Sequence, residues 1–98
     1  MSELRFEWDE RKNLENRRKH GVSFDEARTV FYDEWAILVE DERAVGGTED
    51  RFVLLGMSLG AKTLVVCHCY REEDDVIRLI SARKANKSER RDYDRRWL

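Results

Sequence analysis

The chain is 98 residues long, 41% charged and 41% hydrophobic, with no proline and a formal net charge of −2. That length supports one domain around one modest core. No apolar run approaches the ~18 residues of a membrane-spanning helix, and Met-Ser-Glu-Leu-Arg-Phe lacks the apolar centre of a signal peptide, so a cytoplasmic protein is expected.

The signs of charge are separated along the chain. From Arg78 to Leu98 eight basic residues stand against three acids, a net +5 that leaves −7 on residues 1–77. A basic element on an acidic body suggests a polyanion or a protein partner. Cys67 and Cys69 are the only cysteines. One pair cannot complete a four-ligand zinc site, and neighbours on one strand make poor disulfide geometry, so both are expected as reduced, buried thiols.

In chain order, Leu4, Phe6 and Trp8 alternate with Arg5 and Glu7, which predicts a short strand or an extended anchor. Asp9 has N-cap chemistry, and no breaker interrupts a helix over 10–20 before Gly21 ends it. Leu14 is the one apolar residue in that helix, so it should bury little. Its last turn, Arg17-Arg18-Lys19-His20, puts cations where the helix dipole favours them. Ser23 with Glu26 three later reads as a capping box and Val22 with Ala27 as a staple, predicting a second helix that runs to about Tyr32. Phe24, Ala27 and Phe31 mark its core face.

Residues 35–40 predict a strand centred on Ala36 to Val39, followed by an acidic, glycine-bearing loop over 41–50. Strands over 51–58 and 62–70 form a hairpin around Leu59-Gly60-Ala61. After an acidic turn, Val76 to Arg83 completes a four-stranded antiparallel meander, giving an α+β fold. Ser88 is then expected to cap a last, charged helix carrying Tyr93 and Trp97 four apart as a packing stripe.

Alternation places Leu64, Val66, His68 and Tyr70 on one face of their strand and Val65, Cys67 and Cys69 on the other. Small thiols suit the core side, which would send His68 and Tyr70 to the face of Arg78, opposite Ile77 and Leu79. Arg51 opens the preceding strand, with Glu49 two before it. A histidine, a carboxylate and arginines on one open sheet face suit RNA cleavage without a metal: a base takes the 2′-OH proton, arginines balance the charge growing on the phosphate, and an acid protonates the leaving 5′ oxygen. Histidine carries a proton near neutral pH, and arginine grips phosphate by two parallel hydrogen bonds. A solvated, ion-paired sheet face is the plainer account of Arg78. No metal set, phosphate loop or Ser-His-Asp triad can be drawn from the residues present.

Phe6-Glu-Trp-Asp9, Lys19-His-Gly-Val-Ser-Phe24, Glu49-Asp-Arg51, Leu64-Val-Val66 with His68, Ile77-Arg-Leu-Ile-Ser-Ala-Arg83 and Glu89-Arg90 with Tyr93 follow one another in the order found in BrnT-type toxins, and along nearly its whole length the chain resembles that family. The resemblance implies a RelE-like fold, with two N-terminal helices and a terminal helix around a curved antiparallel sheet of about four strands. It also implies a ribonuclease that stops translation, and a BrnA-like antitoxin that neutralises it and alone brings the complex to operator DNA. Carried over residue by residue, it points to His20, Glu49, Arg51, His68, Arg78 and Arg83 as catalytic and to Lys19 and Tyr93 as RNA-binding, with no cofactor. His68 or His20 would carry the proton, and the arginines would hold phosphate. His20 as a helix cap, Arg83 as an ion-pair partner of Glu49 and Tyr93 as a core residue stay open. So does a catalytically silent module serving as corepressor or scaffold.

Overall fold

The computed structural model describes residues 4–40, 51–71 and 75–97. Its elements run β1 (Arg5–Glu7), α1 (Glu10–His20), α2 (Phe24–Thr29) with a 3₁₀ turn at Val30–Tyr32, β2 (Ile37–Glu40), β3 (Phe52–Met57), β4 (Thr63–Arg71), β5 (Val76–Lys84) and α3 (Lys87–Asp94) with a 3₁₀ turn at Arg95–Trp97. The expected antiparallel meander is present as β2 to β5, and the α+β class stands. It is extended at one edge by β1, which pairs parallel to β5, so the sheet is mixed and five-stranded in the order β1-β5-β4-β3-β2.

The helix ends follow local chemistry. Asp9 accepts from the Arg11 N–H at the start of α1, and Gly21 ends it at φ 70°, the left-handed conformation that glycine adopts without a Cβ penalty. Ser23 accepts from the Glu26 N–H as predicted, but the Glu26 carboxylate turns to the β3–β4 hairpin, where it accepts from Ser58 Oγ at 2.7 Å. The cap of α3 is Asn86 rather than Ser88. Asn86 Oδ1 accepts from the Glu89 N–H at 2.8 Å while Glu89 Oε1 accepts from the Asn86 N–H at 2.9 Å, a reciprocal box that Ser88 is placed too late to form.

The core lies between the first two helices and one face of the sheet. Val22, Phe24, Ala27 and Val30 pack on Leu54, Leu64, Val66, Ile77, Leu79 and Ala82. Ile77 and Leu79 therefore point inward as expected, but their partners across β4 are Tyr70 and His68. The core face of β4 is Leu64, Val66, His68 and Tyr70, and the thiols take the other face, the reverse of the expected assignment. Cross-strand pairing overrides the preference of a small thiol for the core, because directly opposed residues must share a face.

The sheet is irregular at one point. Cys67 pairs with Ser81 but His68 pairs with Leu79, so Ile80 is an extra residue in β5, a β-bulge. Arg78 and Arg83 are five apart and would point to opposite faces of a regular strand. With the bulge, Arg78 opposes Cys69 and Arg83 opposes Val65, and both arginines stand on the face away from the core.

Helix α1 is attached by amides. Beyond Arg78 the edge of β5 has no strand beside it among the described residues, because β1 ends at Glu7. Asn16 fills the gap: its amide donates to Ala82 O at 2.7 Å and to Val22 O at 2.8 Å, and its carbonyl accepts from the Ala82 N–H at 3.1 Å. Asn13 accepts from the Phe24 N–H at 2.8 Å. Both asparagines are buried, whereas Leu14 remains 56% exposed. Two strands away, Asp33 Oδ2 accepts from the Met57 N–H at 2.8 Å and the Tyr93 hydroxyl at 2.6 Å, tying α3 to β3. A Cβ on Gly56 would meet Val30 Cγ1 at 2.8 Å, so glycine is what lets the 3₁₀ turn approach β3 there.

Candidate active site

On the sheet face away from the core, His20, Val53, Val65, Cys67, Ser81, Arg83 and Glu89 line a cleft of about 380 Å³. Three elements supply its polar groups. Asn16 fastens α1 to Ala82, so His20, one turn further along α1, comes to lie near Arg83, the next residue of β5. The bulge turns Arg83 outward. The capping box of α3 fixes the backbone of Glu89 beside it.

Arg83 and Glu89 form a two-pronged pair, with Nη1 to Oε1 at 2.8 Å and Nη2 to Oε2 at 2.9 Å. Arg83 holds the Glu89 carboxyl below the usual carboxylate range by these hydrogen bonds, against the opposing effect of burial. Glu89 in turn raises the Arg83 pKa. Both groups are charged at neutral pH. Arg78 is half-buried on the same face and donates from Nη1 to Glu7 Oε2 at 2.8 Å, with Arg71 Nε 3.8 Å from the other Glu7 oxygen.

Of the other residues singled out in the sequence, Lys19 and His20 are exposed at the end of α1. Arg51 is exposed just before β3, two residues ahead of Val53 in the cleft wall. Glu49 lies outside the described residues. Among the described residues the partner of Arg83 is Glu89.

His68 is a correction. It is fully buried on the opposite face of the sheet from Arg78 and Arg83, with the Phe31 ring edge-on at 4.7 Å. Its Nδ1 lies 3.1 Å from Val66 O, which can only accept, so Nδ1 carries the proton and Nε2 accepts from the Tyr70 hydroxyl at 3.3 Å. Burial pushes its pKa down, only partly offset by the Val66 carbonyl. His68 is thus a neutral core residue out of reach of an RNA strand in the cleft. Tyr93 is also a correction: it is fully buried with its hydroxyl on Asp33, so it has no face on which a base could stack.

Sequence reasoning missed Glu89, Ser81 and Cys67 as cleft residues. The signal for Glu89 was its position three after Asn86, the capping-box spacing. Among the described residues no three His, Cys, Asp or Glu side chains gather as a metal site requires. What the cleft offers is an imidazole, a group that can take and give a proton, beside a guanidinium and a carboxylate held in fixed geometry.

The crystal structure of the Brucella abortus ribonuclease toxin BrnT is similar to this fold, with a TM-score of 0.66 over 87% of this chain and 100% of that chain. The two are 21% identical in sequence, so this likeness bears on the fold. No curated protein matches the sequence. Residues 8–89 match the family described as "Ribonuclease toxin, BrnT, of type II toxin-antitoxin system". The chain belongs to the BrnT family of ribonuclease toxins of type II toxin–antitoxin systems.

Proposed function

We propose that this protein is a metal-independent endoribonuclease whose reaction takes place in the cleft between α1, β5 and α3. The observation that carries this reading is the convergence of His20 and Arg83 in one cleft. His20 takes the proton of a ribose 2′-hydroxyl, and the 2′ oxygen attacks the adjacent phosphorus. Arg83 takes up the charge that grows on the non-bridging oxygens. The bond to the 5′ oxygen breaks, and that oxygen takes a proton from solvent at the open mouth of the cleft. The products are a 2′,3′-cyclic phosphate and a 5′-hydroxyl. Arg78, Arg51 and Lys19 hold the flanking phosphates.

Expression in bacteria should arrest growth, and His20→Ala should relieve the arrest at equal protein level. Equal toxicity of the variant would remove His20 from the mechanism. A second reading draws on the ion pairs of Arg78 with Glu7 and Arg83 with Glu89, which already neutralise both guanidiniums. In it the chain is a silent scaffold for a DNA-binding partner, and its expression is harmless.

The partner we propose is a small BrnA-like antitoxin, which would also carry the complex to operator DNA. Lys87, Arg90 and Arg91 are exposed on α3, with no ion pair among the described residues. Acidic or amphipathic helices of the antitoxin covering this basic surface and the mouth of the cleft would exclude RNA by competition rather than by distorting the fold.

A further inference from the structure

A guanidinium has five N–H groups arranged on two usable edges. In Arg83 three of them are taken. One from Nη1 and one from Nη2 go to Glu89, and the second Nη1 proton goes to Lys84 O at 3.3 Å. The two that remain, Nε–H and the outer Nη2–H, lie side by side on the other edge and meet no acceptor among the described residues. They form a second, complete fork of the kind that grips two oxygens of one phosphate.

Glu89 is itself immobilised. It accepts from both terminal nitrogens of Arg83, and the same Oε1 also accepts from the Asn86 N–H of the capping box. A flexible arginine is thereby clamped to the first turn of a helix, with one edge held and one edge left over. An unclamped side chain would lose rotamer entropy on gripping phosphate, and that loss has already been met in the folded protein.

We propose that Glu89 is a positioning residue for RNA cleavage: by holding one edge of Arg83 it aims the Nε–Nη2 edge at the scissile phosphate, which binds there by two parallel hydrogen bonds. This rests on the reading of the cleft as the cleavage site. Glu89 does not touch RNA, and its carboxylate is no substitute for the base, because Arg83 holds it ionised with little affinity for a proton. The ion pair that would suggest a neutralised, idle arginine is on this view the device that readies it.

The test uses the full chain and three variants. Glu89→Gln keeps a capping-box residue, since Gln serves at that position, but removes the charge that orients Arg83. We expect kcat to fall by roughly 10- to 100-fold with KM changed less than about 3-fold, the signature of lost orientation. Arg83→Lys removes the fork, and the double variant should be no slower than Arg83→Lys alone, because Glu89 acts through Arg83. Ser23→Ala weakens the cap of α2, which lies outside the cleft, so it should lower Tm and leave kcat unchanged.

A second readout does not need turnover. On titration with a non-cleavable 2′-O-methyl RNA oligonucleotide, the ¹⁵N–¹H signal of Arg83 Nε should shift in the wild type and shift less in Glu89→Gln. A wild type that cleaves RNA while Glu89→Gln matches its rate would overturn the inference alone, as would additive effects of the two substitutions. A wild type that neither cleaves nor shifts would overturn the cleft reading as well. Shifting without cleavage would support the phosphate fork and refute only the catalytic reading.

Discussion

Replacing Asn16 by alanine perturbs both the fold and the site, because one side chain joins α1 to the bare edge of β5. The change removes three hydrogen bonds and leaves the N–H and C=O of Ala82 and the C=O of Val22 without their partner in a buried setting. Each bond is worth about 1 kcal/mol net, and a buried group left unsatisfied costs ~1–3 kcal/mol. Because water can enter the space vacated by the amide, we expect a loss near the low end, about 3 kcal/mol. For a domain of this size that lowers Tm by roughly 15 °C. Urea unfolding followed by tryptophan fluorescence measures it, with Leu14→Ala as the comparison. Leu14 is 56% exposed, so its truncation should stay within about ±0.5 kcal/mol. RNA cleavage by Asn16→Ala, measured well below its Tm, should drop by more than the folded fraction accounts for, since His20 is four residues from the lost anchor and Arg83 is next to Ala82. A loss under about 1 kcal/mol, or a larger loss from Leu14→Ala, would refute the account of how α1 docks.

Tyr93→Phe removes a buried hydroxyl donor from Asp33, and a hydrogen bond to a charged group contributes ~1.5–3 kcal/mol. The variant should melt lower yet cleave RNA at the wild-type rate per folded molecule; slower cleavage at unchanged Tm would restore Tyr93 to the RNA site. His68 sets a pH dependence of stability. Its pKa is depressed in the folded state, so above its unfolded value of about 6.5 both states are neutral and no penalty arises. Below that value the unfolded chain takes up a proton that the folded chain resists, and stability falls until the folded pKa is reached. Urea midpoints should therefore drop from pH 7 to pH 5.5, and His68→Phe should flatten the slope. For the antitoxin, raising salt should slow association more than it speeds dissociation, because rim charges act on the encounter; an association rate indifferent to salt would refute competition through the basic face.

The sequence was most legible where the signal is local. The Asp9 cap, the Gly21 stop, the Ser23 start and the β3–β4 hairpin all depend on residues within a few positions of one another. The α1 attachment was hidden because hydrophobic periodicity looks for apolar stripes, and this helix docks through Asn13 and Asn16. The face of β4 was misassigned for a related reason. Thiols and imidazole can each be buried, so composition could not choose between them, and the choice falls to the pairing of His68 with Leu79 in another strand. The bulge at Ile80 has no signature in Val76 to Arg83, yet it alone puts Arg78 and Arg83 on one face. Of the candidate cleft, His20 and Arg83 were named through the family resemblance, while the clamp on Arg83 required knowing where α3 begins.

The central claim is tested most directly by incubating purified protein with RNA in excess EDTA and identifying the new ends. The account predicts cleavage with 2′,3′-cyclic phosphate and 5′-hydroxyl termini, abolished or strongly reduced by His20→Ala and unaffected by the chelator. Cleavage that EDTA abolishes and a divalent ion restores, or products bearing 5′-phosphates, would contradict it.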